Sequence, residues 1–266
     1  MRVISLTTDF GTGDFEVGVL KGVIWKIAPQ VKIADLSHEI SPHNVLDGAL
    51  LLGRCTPYFP EDSIHVVVVD PGVGTKRRVI VARCGPQWFV GPDNGLATLM
   101  LERAEQNGWP VKVVSADQPR YWLPVVSNVF HGRDIFSPLA AHLAMGVTLA
   151  EIGTPIDNPD RLEIPQPQRS GSGWHAQVMN IDHFGNLATN LRSEHLIGMD
   201  EIIVQIGEVA IQGLSQTFGE RPSGSLVALI NSEGFLEIAE VNGSAARHLN
   251  AVTKDPVEVL PIKRDA

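Results

Sequence analysis

The segment Ile64-His65-Val66-Val67-Val68-Val69 constrains this chain more than any other. An apolar, mostly β-branched run has no polar face to turn toward water, so it reads as a strand buried on both sides, in a sheet covered by helices. The flanking sequence supplies such helices. Residues 3–6 form a short apolar run that stops at Thr7-Thr8-Asp9. Gly11-Thr12-Gly13 follows, then an apolar-periodic stretch over 15–28, which is the order strand, loop, helix. Residues 31–36 read as a second strand, and 45–52 as part of a helix entered from Ser41-Pro42-His43-Asn44, with Asn44 as candidate cap. Further strands are expected at 79–83, 88–90 and 111–114, and helices near 95–106 and 135–145. The first part of the chain is therefore expected to be α/β, built on a central, mainly parallel or mixed sheet.

Between 153 and 173 the character changes. Pro155, Pro159, Pro165, Pro167 and the tract Arg169-Ser170-Gly171-Ser172-Gly173 are linker chemistry. The expected division is an α/β domain over 1–165, a linker over 166–173 and a second domain over 174–266. Short alternating runs at 174–181, 202–206, 226–230, 235–239 and 257–262 make that second domain a small antiparallel, barrel-like all-β unit of about 90 residues. A length of 266 residues agrees, since about 150 residues per domain gives just under two. No repeat at a fixed period is visible.

Charge argues against one class of partner. The 21 Lys and Arg against 30 Asp and Glu leave a net charge of −9, without the cationic surplus that binding a phosphate backbone requires. Nucleic acid is not expected as a partner. Cys55 and Cys84, with no C-x-x-C pair and no secretory leader, read as reduced thiols. The first apolar stretch is too short for a signal sequence, and no run reaches the ~18 apolar residues of a membrane span. The expected location is the cytoplasm.

Three carboxylates, Asp9, Asp35 and Asp70, fall at the ends of expected strands, where open α/β sheets bind ligands. Each could equally cap a loop or a helix. Asp70 gains weight because the turn Pro71-Gly72-Val73-Gly74-Thr75-Lys76-Arg77-Arg78 returns cationic groups toward it, and Arg77 is well placed to pair with it. The same turn is no phosphate loop, since Lys76 has Thr75 before it and Arg77 after it. Gly11-Thr12-Gly13 lacks the third glycine of a dinucleotide site, where Glu16 stands. Asp9-Phe10-Gly11 spells the kinase metal triplet but no other kinase motif accompanies it. His38-Glu39 with His43 misses the zinc-helix spacing by one residue and is broken by Pro42, so no metal is expected.

His131, beside Gly132 at a loop before a helix, is by itself more often a structural hydrogen-bonder than a catalyst. In the second domain Asn180-Ile181-Asp182-His183-Phe184-Gly185-Asn186-Leu187 combines amide edges with an aromatic face, the means of recognising a purine, while Asp182 could hold an ammonium. A turn using Asp and Asn in their usual roles is the alternative. Asn231-Ser232-Glu233-Gly234 reads as a hairpin turn.

In order along the chain, Thr8-Asp9-Phe10-Gly11, Asp70-Pro71-Gly72-Val73-Gly74-Thr75 with Arg77, Gly91-Pro92-Asp93-Asn94-Gly95-Leu96, Phe130-His131-Gly132-Arg133-Asp134, Ile181-Asp182-His183-Phe184-Gly185-Asn186 and Asn231-Ser232-x-Gly234 form an ordered set. That set resembles the adenosine-forming S-adenosyl-L-methionine hydrolases, also called S-adenosylmethionine hydroxide adenosyltransferases, relatives of the fluorinase and chlorinase. The similarity runs over nearly the whole chain, and the ordered set is far more specific than any one motif. The resemblance implies an α/β domain followed by a β-barrel domain. It also implies a homotrimer whose active sites lie between the first domain of one subunit and the second domain of the next.

Carried over by position, the resemblance makes Asp70, Arg77 and His131 the catalytic set. Asp9 matches the carboxylate that holds the ribose hydroxyls. Asp182 and Ser232 match residues that hold the methionine amine and carboxylate, and Phe184, Asn186 and Phe218 match the adenine environment. Glu233 is a departure, since halogenating relatives carry arginine there, tyrosine in place of Asp70, and serine or another residue in place of Gly132. A carboxylate at the reacting centre repels an anion, so these differences favour water over halide. The implied reaction is attack of an oriented water at the ribose 5′ carbon, expelling methionine as a neutral thioether, with no cofactor. A carboxylate or imidazole takes the water proton, or Arg77 stabilises hydroxide. Two alternatives remain: a halide-dependent 5′-halo-adenosine synthase and a non-catalytic adenosine or S-adenosylmethionine binding module.

Overall fold

The structure is a computed structural model that describes residues 2–199 and 201–262. The chain divides into two compact units, one ending at Glu163 and one starting at Ile164.

The first unit contains β1 (Val3–Thr8), α1 (Glu16–Ile27), β2 (Lys32–Ser37), α2 (Val45–Cys55), β3 (Ile64–Val68), β4 (Val79–Cys84), β5 (Gln87–Pro92), α3 (Thr98–Gln106), β6 (Val111–Ser115), α4 (Ser137–Ala144), α5 (Leu149–Ile152) and β7 (Thr154–Ile156). Its sheet has the order β2-β1-β3-β5-β4-β6-β7. The first four strands in that order pair in parallel, while β4, β6 and β7 join antiparallel, so the sheet is mixed.

The β-branched run becomes the inner strand β3, buried along its whole length. Its alternate residues serve two cores, as the strand period requires. Ile64, Val66 and Val68 pack with Leu20 and Ile24 of α1 and Leu139 and Leu143 of α4. Val67 packs with Leu52 of α2 and Met100 and Leu101 of α3 on the other face. His65, also fully buried, faces this second layer: Ser5 Oγ lies 2.7 Å from its Nδ1, and its ring meets Phe59 edge-on. Burial pushes its pKa down to about 4, because a charged imidazole would have to leave water.

Asn44 caps α2 as its sequence suggests, accepting the Asp47 N–H at 3.1 Å. Two helices start elsewhere than expected. The one expected from residue 95 begins at Thr98, because Gly95 takes φ +94, outside the helical region. The one expected from residue 135 begins earlier, as a π turn over Gly132–Phe136 that runs into α4. Pro138 has no N–H to donate to Asp134 O, so the first turn widens.

The second unit contains β8 (Gln168–Ser170), β9 (Gly173–Ile181), β10 (Leu187–Arg192), β11 (Ile202–Ile206), β12 (Val209–Gln212), β13 (Leu226–Ile230), β14 (Phe235–Glu240), α6 (Ala245–Leu249) and β15 (Pro256–Pro261). The strand order is β12-β11-β15-β9-β10-β14-β13, with β8 on β9, and every pairing is antiparallel. Just beyond β12, the Ser215 N–H donates to Ala228 O in β13 at 2.8 Å, so the two ends of the sheet curl toward closure. The interior is filled by Val178, Leu187, Leu191, Val204, Leu236, Ile238, Val257 and Val259.

β8 lies inside the tract read as linker, where the Arg169 guanidinium stands 4.9 Å from the Trp174 ring centre. β10, which carries Thr189 and Asn190, is not among the strands expected from sequence. Both are buried with their polar atoms satisfied: Thr189 Oγ1 donates to Leu236 O at 2.8 Å, and Asn190 Oδ1 accepts from Gln177 N–H at 2.9 Å. No helix among the described residues is long and apolar enough to cross a membrane.

Candidate active site

β1 and β3 are parallel neighbours with Thr8 opposite Val68, so Asp9 and Asp70 follow the carboxyl ends of adjacent strands. β4 then returns antiparallel, and the turn between β3 and β4 delivers Arg77 back to Asp70. That turn is tight: Val73 N–H donates to Asp70 O at 3.1 Å and Thr75 Oγ1 to Gly72 O at 2.7 Å. Gly74 sits at φ +76, and a Cβ there would stand 2.2 Å from Asn128 O, so the turn touches the loop before His131.

Arg77 grips Asp70 with two groups: Nε donates to Oδ1 at 2.7 Å, and Nη2 donates to Oδ2. Both side chains are nearly withdrawn from solvent, at 10% and 5% exposure. The same Nη2 lies 2.8 Å from Nδ1 of His131. Phe136 backs the cluster, its ring centre 5.4 Å from the Arg77 guanidinium carbon. Gly132 lets the π turn close on β3, since a Cβ there would meet Val68 Cγ1 at 3.1 Å.

Arginine has no acceptor, so its bond to Nδ1 requires a lone pair on that nitrogen. The neutral ring then carries its proton on Nε2. Burial, followed by the Arg77 charge, holds the His131 pKa below the ordinary value, with Asp70 and Asp134 opposing in part. Near neutral pH the cluster thus offers a carboxylate acceptor and an imidazole Nε2–H donor.

Asp9 accepts the His43 N–H at 2.9 Å, which ties its loop to the entry of α2. His38, buried beneath it, places Nδ1 2.9 Å from Thr8 Oγ1 and accepts the Gly11 N–H on its carbonyl at 2.7 Å. Asp35, read from sequence as a strand-end ligand group, instead lies within β2 opposite Leu6. It pairs with Lys21 at 2.6 Å and faces His38 Nε2 at 3.1 Å. The strand continues two residues past it, so it braces α1 and leaves the strand ends to Asp9 and Asp70.

In the second unit, Asp182, Phe184 and Asn186 share one turn. Asp182 Oδ1 accepts the N–H groups of Phe184 and Asn186 at 2.9 and 2.8 Å, and Oδ2 accepts Asn186 Nδ2 at 2.9 Å. These bonds close the turn, which presents the Phe184 ring at 72% exposure. Ser232 and Glu233 stand exposed at a separate hairpin, where Asn231 Oδ1 accepts the Glu233 and Phe235 N–H groups. Phe218, half-exposed, occupies a short helical turn capped by Thr217. Each group is formed locally, and the hairpin meets β10 at the end away from the Asp182 turn, where Ser193 N–H donates to Gly234 O at 2.9 Å.

Sequence reading assigned no role to Asp93, Asn94 or Asp134. Asp93, buried, accepts Arg78 Nε at 2.6 Å and the Asp160 N–H at 2.8 Å, and Asn94 Nδ2 donates to Val69 O at 3.0 Å. These bonds steady the chain on either side of Asp70 and Arg77. The signal for Asp134 was present: Pro138, four residues later, frees its carbonyl.

An α/β unit with a half-buried Asp-Arg-His cluster, followed by an antiparallel near-barrel, defines a two-domain class of protein. Residues 4–153 match the N-terminal domain model, and 176–258 the C-terminal domain model, of the SAM hydroxide adenosyltransferases, SAM being S-adenosyl-L-methionine. The chain belongs to this family. Among relatives, an (R)-S-adenosyl-L-methionine hydrolase of Salinispora arenicola is 37% identical over 94% of each chain. One of Thermus thermophilus is 36% identical over 98% of this chain and 100% of its own. A fluorinase of Actinoplanes sp. is more distant, at 26% over 89% and 90%. A solved structure of a conserved protein from Thermotoga maritima superimposes with TM-score 0.88 at 33% identity, covering 97% of this chain and 99% of that one.

Proposed function

We propose that this chain hydrolyses (R)-S-adenosyl-L-methionine to adenosine and L-methionine. The observation that carries the reading is the Asp70–Arg77–His131 cluster, half-buried at the carboxyl end of β3 in a chain 37% identical to hydrolases of that name. A water oxygen attacks the ribose 5′ carbon, the C5′–S bond breaks, and its electron pair goes to sulfur. The sulfonium becomes a neutral thioether, so the leaving group needs no proton. Asp70 accepts the proton of the attacking water and passes it to solvent. Arg77 holds that carboxylate in place, and His131 donates from Nε2 to the water oxygen.

Asp9 holds the ribose hydroxyls. Asp182 and Ser232 hold the methionine amine and carboxylate, with Glu233 beside them, and Phe184, Asn186 and Phe218 enclose adenine. The two groups of residues meet in a homotrimer, with each site formed by the first domain of one subunit and the second domain of the next. Exposed Phe184 and Phe218, apolar rings without a covering layer in their own unit, support that assembly. Cys55 and Cys84 are not joined in a disulfide, which fits a cytoplasmic setting.

The test is turnover of each sulfonium epimer in 18O water. Adenosine labelled at its 5′ oxygen, formed from the (R) epimer, is expected. Absence of adenosine, or adenosine without label, overturns the reading. The fluorinase relatives make a halide arm necessary: with chloride or fluoride added, appearance of 5′-halo-adenosine would replace hydrolysis by halogenation.

A further inference from the structure

We propose that Asp134 is a positioning residue for the hydrolysis proposed above. It fixes the segment that leads into His131, and thereby the imidazole against Arg77. The inference rests on that reading of function, although the geometry is independent of it.

Asp134 is fully buried, and its bonds converge on one stretch of chain. Its carbonyl accepts the Leu123 N–H at 2.8 Å, its Oδ2 accepts the Ser127 N–H at 2.8 Å, and its own N–H donates to Phe130 O at 3.1 Å. One residue therefore secures the start, the middle and the end of the segment 123–130. Pro138 makes the first of these bonds available: in a continuous α-helix the residue-138 N–H would occupy Asp134 O, and proline has none. Arg133 balances the carboxylate, donating from Nε to Oδ1 at 2.6 Å and from Nη2 to Oδ2 at 3.0 Å.

Apolar contact holds the end of this segment, where Phe130 packs on the core and meets Phe10 edge-on at 5.8 Å. The stretch before it is held otherwise: Val125 is 80% and Val129 78% exposed, so the bonds to Asp134 carry its placement. The segment matters because Asn128 O abuts Gly74 in the turn that presents Arg77. His131 follows directly, with Nδ1 2.8 Å from Arg77 Nη2. Asp134 thus acts on the catalytic cluster from both sides of one contact, without belonging to it.

The experiment compares Asp134→Ala, Asp134→Asn and Pro138→Ala with wild type. A misplacement of about 1 Å caused by a mutation away from the chemistry costs on the order of 10²-fold, so Asp134→Ala should lose about 10- to 100-fold in kcat with KM changed less than about threefold. Asp134→Asn keeps an oxygen for the Ser127 N–H and should recover most of the loss. Ring 15N spectra of His131 need no turnover: Nδ1 should report a hydrogen-bonded acceptor in wild type and Asp134→Asn, and lose that signature in Asp134→Ala. If Asp134→Ala does not fold, Pro138→Ala decides, because it leaves the carboxylate intact and returns an N–H that competes for Asp134 O. It should lower kcat and disturb the same ring signal.

Unchanged kcat and ring spectra in a folded Asp134→Ala, or in Pro138→Ala, overturn the proposal. Equal losses in Asp134→Asn and Asp134→Ala overturn it as well, since charge alone would then be at stake. A wild-type protein that releases no adenosine sinks the functional reading, while the ring spectra still decide the positioning.

Discussion

Gly74→Ala tests how finely the two halves of the proposed catalytic cluster are set against each other. The new Cβ would stand 2.2 Å from Asn128 O, a backbone atom that cannot swing away. Relief to ordinary contact moves the Asp70–Arg77 turn and the His131 loop apart by about 1 Å, and a misplacement of that size costs on the order of 10²-fold in rate. Gly74 also holds φ +76, so alanine adds about 1 kcal/mol of backbone strain, or ~2–4 °C in Tm for a domain of this size. Gly108→Ala separates the two effects. It carries the same kind of strain at φ +65 with nothing within 4 Å of its Cβ. Adenosine release by chromatography and thermal melts should show a Tm loss in both variants, larger in Gly74→Ala by the cost of moving the loops apart, and a large kcat loss in Gly74→Ala only. A folded Gly74→Ala with kcat within threefold of wild type refutes the reasoning, as does a Gly108→Ala that is equally impaired.

Arg77→Lys keeps the charge but loses the fork that spans Asp70 and His131, so kcat should fall at least 10²-fold with KM little changed, measured by steady-state kinetics. Phe184→Ala should do the reverse, raising KM with a smaller effect on kcat; an equal loss of substrate affinity in Asp70→Ala, His131→Ala and Phe184→Ala contradicts the assigned roles. His65 binds a proton more weakly folded, at about 4, than the ordinary 6.5. The unfolded chain therefore gains protons first as pH falls, and stability drops between those two values, by up to ~3 kcal/mol at ~1.4 per unit. Melts of wild type across that window should fall more steeply than those of His65→Gln, and parallel curves would remove His65 as the cause.

What sequence could reveal followed the physics of each element. β3 was legible because a β-branched run admits no other burial pattern, and Asn44 because its cap is local. The pairing of Asp70 with Arg77 was legible too, across a turn of glycines only seven positions long. The third partner, His131, lies 54 positions from Arg77, and only the ordered motifs pointed to it. β10 was missed because Thr189 and Asn190 find their partners 47 and 13 positions away, which no local pattern records; β8 was missed because its polar residues, joined to β9 by the short Gly171-Ser172 turn, look like linker. Asp35 misled for the opposite reason: its strand runs on past it, and boundaries are the least secure part of any periodicity argument.

The single nitrogen that Arg77 shares between Asp70 and His131 has a kinetic corollary. Whatever draws the guanidinium off one acceptor loosens its hold on the other, so carboxylate and imidazole are oriented together. Rate losses in double variants of the trio should then fall short of the sum of the single losses, since each single change already frees the other members.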